Sequence, residues 1–307
     1  MKETFGQKTR RSHKRNQRVV MFWCAFVFAF VIAGVWLFRG TLFQNDSGTS
    51  SSGTNQSRHD ACGTADSRQK STDVTQAPMD HEVWQKLQDL VSQDQRVQQV
   101  IDNCEIYPED ILKMLSRNLD MLNFVLEYPE KVGQVFAETV GEVEGGEVPL
   151  LLQYDQRWGY GDYGNSSVAV SGCGPACLSM VITSLTGDDT ITPYVVAQYA
   201  SEQGYYVPGA GTAWTLMSEG AKHFGVIGEE LPLTKSIMEG VLKEGRPIIC
   251  SMRPGDFTTT GHFIVITGIK DGQFTVNDPN STERSNMLWD YDTLKPQISN
   301  LWAFQAL

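Results

Sequence analysis

Ser171-Gly172-Cys173-Gly174-Pro175-Ala176-Cys177-Leu178-Ser179-Met180-Val181-Ile182 is the stretch on which the reading of this chain turns. It reads as a thiol at the first turn of a helix. Gly172 and Gly174 let the backbone turn sharply and leave the sulfur of Cys173 uncrowded. Pro175 suits a first helical turn, where a missing N–H costs nothing. Leu178, Val181, Ile182 and Leu185 then recur at helical spacing. A helix N-terminus carries partial positive charge, which favours thiolate over thiol.

Outward from Cys173, the histidines narrow the choice of base. There are five: His13, His59, His81, His223 and His262. The first three lie in a basic tail, in a polar stretch and at the start of a helical segment. His223 falls on an amphipathic helix before Phe224-Gly225, the setting of a structural, half-exposed histidine. His262 follows Gly261 and opens the apolar strand Phe263-Ile264-Val265-Ile266-Thr267-Gly268, where a side chain can project into a cleft. It is the candidate general base. A third group must orient its imidazole and fix the tautomer. Asp278 and Asn277 both end the next strand. Asp271-Gly272 signals a two-residue hairpin turn, which sets Asp278 opposite Val265 and leaves Asn277 on the His262 face. A bulge would exchange the two. Asp278 is preferred and Asn277 is held in reserve. Oxyanion donors are sought in the Cys173 backbone N–H and the Gln153 side-chain amide. Cysteine, then histidine, then a carboxylate or amide is the order of a nucleophilic thiol site.

The rest of the chain sets the context. Its 307 residues are 41% hydrophobic and 20% charged, with a net charge of −11. The first 39 residues carry +7, so the remainder carries −18, which argues against nucleic acid as a partner. Residues 19–38 (VVMFWCAFVFAFVIAGVWLF) have no charge and, at ~1.5 Å per residue, span a hydrocarbon core of roughly 30 Å. Basic residues crowd its N-terminal side, so 1–18 is expected in the cytosol, with a single-pass anchor at 19–38 and the C-terminal domain outside the cell. Residues 39–80 are Ser, Thr, Gly, Asn, Asp and Gln with few large apolar side chains, a flexible stalk. Residues 81–141 carry helical stripes such as Val83, Leu87, Leu90 and Val91, with a break at Pro129. A Gly145-Gly146 linker leads into 148–307. There the helices around 195–201 and 213–224 precede strands at 246–251, 262–269, 273–277 and 302–306. The cysteine spacing suits neither zinc nor a disulfide scaffold. Cys62–Cys104 is one conceivable bridge; Cys177 and Cys250 read as small core residues. No cofactor or metal is called for.

Five pieces of 148–307, in order, resemble the bacterial papain-like cysteine peptidases related to the bacteriocin-processing, double-glycine leader peptidases. They are Gln153-Tyr154-Asp155-Gln156-Arg157-Trp158; Ser171-Gly172-Cys173-Gly174-Pro175; Gly245-Arg246-Pro247-Ile248-Ile249; Gly261 to Gly268; and Asn277-Asp278-Pro279. The resemblance implies an α+β, two-lobed papain-like fold, a helical lobe beside an antiparallel sheet. It also implies Cys173 as nucleophile, His262 as base, Asp278 as orienter and Gln153 as oxyanion donor. Leader peptidases carry their glutamine a few residues before the cysteine, where Ser167 and Val168 stand here. They are usually fused to a transporter ATPase, and no phosphate-binding loop is found. The expectation is a membrane-tethered extracellular thiol hydrolase acting on peptide or amide bonds. An acyltransferase with the same site and a non-catalytic peptide- or wall-binding module are the alternatives.

Overall fold

The computed structural model describes residues 80–307. The basic tail, the apolar run 19–38, the stalk apart from Asp80, and Cys62 as a partner for Cys104 lie outside the described residues. Among the described residues no helix is long and apolar enough to cross a membrane.

The Asp80 side chain accepts the Glu82 N–H and so starts helix α1 (His81–Val91). Helices α2 (Val97–Asp102), α3 (Glu109–Leu115) and α4 (Leu122–Lys131) come next. Pro129 does not break α4, which runs two residues beyond it. A proline this close to a C-terminus removes one ladder bond from a turn that is ending anyway. Leu87, Val100, Ile111, Leu115 and Phe124 close on one core, but residues from beyond the linker complete it: Tyr154, Tyr160 and Ala169. Phe124 stacks on Tyr160 with ring centroids 4.3 Å apart. The four helices thus share a core with the segment from Tyr154 to Ala169.

A short hairpin, β1 (Asp162–Tyr163) and β2 (Ser166–Ser167), leads to a single turn α5 (Val168–Ser171) and then to α6 (Cys173–Thr186). Next come α7 (Pro193–Glu202), the hairpin β3 (Tyr206–Val207) and β4 (Gly211–Thr212), and a single turn α8 (Thr215–Ser218). The helix expected over 213–224 is therefore cut short. A 3-10 segment, Gly220–Phe224, replaces its second half, and glycine at 220 weakens an uninterrupted α-helix there.

The remaining elements are β5 (Val226–Glu230), α9 (Lys235–Lys243), β6 (Ile248–Met252), β7 (His262–Lys270), β8 (Gln273–Asn277), α10 (Thr282–Ser285), β9 (Leu288–Trp289), α11 (Tyr291–Leu294) and β10 (Ile298–Ala306). Six strands form one antiparallel sheet in the order β5-β10-β6-β7-β8-β9. Helix α6 covers one face, its Cys177 and Val181 sharing a core with Ile249, Phe263, Val265 and Trp302. Helix α9 covers the other, with Met238 and Leu242 against Cys250, Ile264, Ile266 and Val276. Helix α6 is buried on every side from Gly174 to Thr183, so it is the central helix and not an amphipathic surface one.

The β7–β8 hairpin turns at Asp271 (φ 53°) and Gly272 (φ 77°), as the dipeptide predicts. Its register starts with Lys270 opposite Gln273 and Ile269 opposite Phe274, then shifts between Ile266 and Gly268 so that Val265 faces Asn277. The extra residue is Thr267, whose hydroxyl bonds that of Thr275 at 2.9 Å.

Candidate active site

Cys173 is the first residue of α6, with Gly172 as its N-cap, and its side chain is partly exposed. The two flanking glycines are needed for space, and neither has positive φ. A Cβ on Gly172 would meet the Val168 carbonyl oxygen at 2.4 Å, and one on Gly174 would meet Thr212 Oγ1 at 2.6 Å. Two elements therefore press on the turn that presents the sulfur: α5 from behind and β4 from the side. Pro175 occupies the first turn, where the helix has no N–H ladder to lose.

The bulge at Thr267 decides the third position. Side chains alternate along a strand, so a one-residue slip exchanges faces. With Val265 opposite Asn277, the register continued by one residue sets Asp278 level with Ile264, on the same side as His262. His262 Nε2 and Asp278 Oδ1 are 2.7 Å apart. Asn277, the reserve, points elsewhere and donates from Nδ2 to the Val148 carbonyl at 2.9 Å. With Nε2 engaged by the carboxylate, Nδ1 is left for Cys173, whose sulfur acts on the His262 ring and helps to raise its pKa.

Burial sets the electrostatics of the pair. His262 is 8% exposed and Asp278 is fully buried. Burial works against charge on His262, but the Asp278 carboxylate and the Cys173 sulfur outweigh it and raise its pKa to about 10. Burial likewise opposes charge on Asp278, and His262 and Arg284 overcome it, holding the carboxyl below its ordinary range. Arg284 goes unmarked in the sequence. Its Nε lies 2.5 Å from Asp278 Oδ2, and the backbone N–H of Asn280 reaches Oδ1 at 2.8 Å. Arg284 sits on α10, whose N-cap Ser281 accepts the Arg284 N–H. An arginine six residues beyond an Asn-Asp-Pro turn has no local pattern that marks it; only the fold of the turn brings it back.

Gln153 lies outside any strand, on the segment that leads to β1. It is 3% exposed, in a turn. Its backbone N–H donates to the Pro279 carbonyl at 2.7 Å, and its Nε2 donates to the Ala169 carbonyl. One amide hydrogen thus remains, and Oε1 is buried without a partner. Gln153, Cys173 and His262 all line one cavity of about 280 Å³. Tertiary folding therefore returns a glutamine to the cysteine from far upstream in the sequence.

The other candidates fall outside this cleft. His223 is exposed and stacks on Tyr199, ring centroids 4.2 Å apart. Cys177 and Cys250 are fully buried, one on each side of the sheet, and burial pushes both thiols upward.

The peptidase C39-like family model matches residues 146–305, just over half of the chain. No curated protein matches. Among solved structures, the peptidase domain of Streptococcus ComA, a bifunctional ABC transporter of a quorum-sensing pathway, is 17% identical. That likeness covers 44% of this chain and 89% of that one, with a TM-score of 0.35. A Bacillus anthracis protein described as a C39-like peptidase is 12% identical over 52% of this chain and 94% of its own, with a TM-score of 0.31. On the extent of the family match, this chain belongs to the peptidase C39-like family.

Proposed function

We propose that the chain is a cysteine peptidase or amide hydrolase working through Cys173, His262, Asp278 and Gln153. The observation that carries this is the 2.7 Å contact of His262 with a fully buried Asp278, beside a thiol at a helix N-terminus. In this reading His262 holds its proton at neutral pH, and the Cys173 sulfur faces that cation. The sulfur attacks the scissile carbonyl, and its oxyanion is taken by the Cys173 N–H and the spare Gln153 amide hydrogen. The His262 proton passes to the leaving amine, giving an acyl-enzyme. Water, deprotonated by His262, then releases the acid. Asp278 keeps the ring in place and does not change protonation.

The apolar run at 19–38 and the cations before it support a tethered protein with this domain outside the cell. Protease added to intact cells is expected to release the domain; a full-length chain left intact would refute that placement. For the chemistry, a thiol-directed probe applied to the full chain is expected to label wild type and not Cys173→Ala, and a peptide substrate should leave an acyl adduct on Cys173 visible by mass. A probe that labels Cys173→Ala as fast as wild type would end the hydrolase reading.

A further inference from the structure

The helical segment before the linker does not only pack; it walls the cleft. Met114 and Arg117, at and just past the end of α3, line both the 280 Å³ cavity and an adjoining one of about 540 Å³, and Cys173 lies on both. Asn118 donates from Nδ2 to the Asn280 carbonyl at 2.8 Å, and Thr282 donates to Asp120 at 2.8 Å. The segment is thereby fastened to the turn just past Asp278. Arg117 then reaches across, its Nη1 donating to Thr259 Oγ1 on the β6–β7 loop at 3.2 Å.

The other two cations on these walls are neutralised, Lys113 by Glu109 at 2.7 Å and Arg284 by Asp278, while Asp256 keeps its charge and accepts from the Gln297 amide. Asp110 also faces the neighbouring groove beside Tyr128 and Asp162. Among the described residues no carboxylate pairs with Arg117, and one hydroxyl takes one of its five donors. Asn280, on the same walls, has a buried Oδ1 without a partner. A cation with free donors, on cavity walls that also include Cys173, complements an acidic side chain.

We propose that Arg117 is a specificity-determining residue, selecting peptide segments with an aspartate or glutamate close to the bond at Cys173. This rests on the hydrolase reading for its meaning, but its test does not need turnover. The Cys173→Ala full chain in detergent is titrated with labelled Gly/Ala heptapeptides carrying one Glu, Gln or Lys walked along the peptide. At one position Glu should bind about 5–10-fold tighter than Gln at low salt, a charge-assisted contact that weakens as salt rises. Arg117→Glu should invert the order to favour Lys, and Arg117→Lys should keep the sign with a smaller ratio. The rest of the molecule is acidic, so tighter binding of Lys peptides by the Arg117 form would overturn the proposal. So would equal affinities, absence of binding, or an order unchanged by Arg117→Glu. Charge-selective binding with no acylation of wild type would instead count against the hydrolase reading alone.

Discussion

Asp278 holds His262 on one carboxylate oxygen and Arg284 on the other, and this shapes what each neighbour does. Arg284 holds Oδ2, so Oδ1 stays aimed at His262. A nearby cation also disfavours the protonated ring. Arg284→Gln should therefore raise the His262 pKa further and loosen the ring. The alkaline limb of the rate profile is expected to move up while kcat falls about tenfold, ~1.4 kcal/mol at the barrier. Arg284→Lys should restore part of both. A profile unmoved by Arg284→Gln would make the arginine a packing residue. The sign for stability is separate. His262 has its pKa raised on folding, from 6.5 to about 10, so its contribution is complete below pH 6.5 and is lost as pH rises through about 10. Denaturant midpoints of wild type and His262→Ala should thus differ most below pH 6.5 and converge near pH 10. Cys177 and Cys250 serve the two cores. Each alanine variant should lose ~1–2 kcal/mol in denaturant titration and keep probe labelling at Cys173.

At the level of elements, the β7–β8 hairpin shows how one residue governs a site. Its turn was legible in Asp271-Gly272, since only a primed turn matches the strand twist and both positions need φ > 0. The bulge was not legible, because Thr267 looks like any other strand residue; from the residues alone it follows only that a bulge, if present, favours Asp278. Deleting Thr267 should restore the unbulged register, turn Asp278 from His262 and drop labelling to the level of His262→Ala. Far-UV circular dichroism should show the sheet retained. Undiminished labelling in the deletion would mean that the register is not what brings Asp278 to the ring. The short edge strand β9 and strand β5 were missed for a related reason. Leu288-Trp289 is too brief for a period, and Val226-Ile227-Gly228-Glu229-Glu230 shows little alternation, so neither announces itself until a neighbour supplies the ladder.

For the whole molecule, the helical segment and the cysteine-bearing part share one core. Phe124 is 2% exposed and stacks on Tyr160, joining residues on either side of the linker. Phe124→Ala should cost ~3–5 kcal/mol. Unfolding followed by tyrosine and tryptophan signals and by backbone signals should remain a single coincident transition in wild type. Two separated transitions would show that the helices fold alone. The sequence by itself marked the candidate nucleophile, its helix, the candidate histidine and the two neighbouring residues from which its partner comes, because each is written in local signals: glycines beside a thiol, helical spacing, an apolar strand after Gly-His, a turn dipeptide. Only the tertiary structure decided that Asp278 and not Asn277 meets the ring, that Arg284 stands behind it, that Gln153 returns to the cleft, and that Arg117 walls it. Those are contacts between segments far apart in the chain, and they depend on register and packing, which no short stretch of residues encodes.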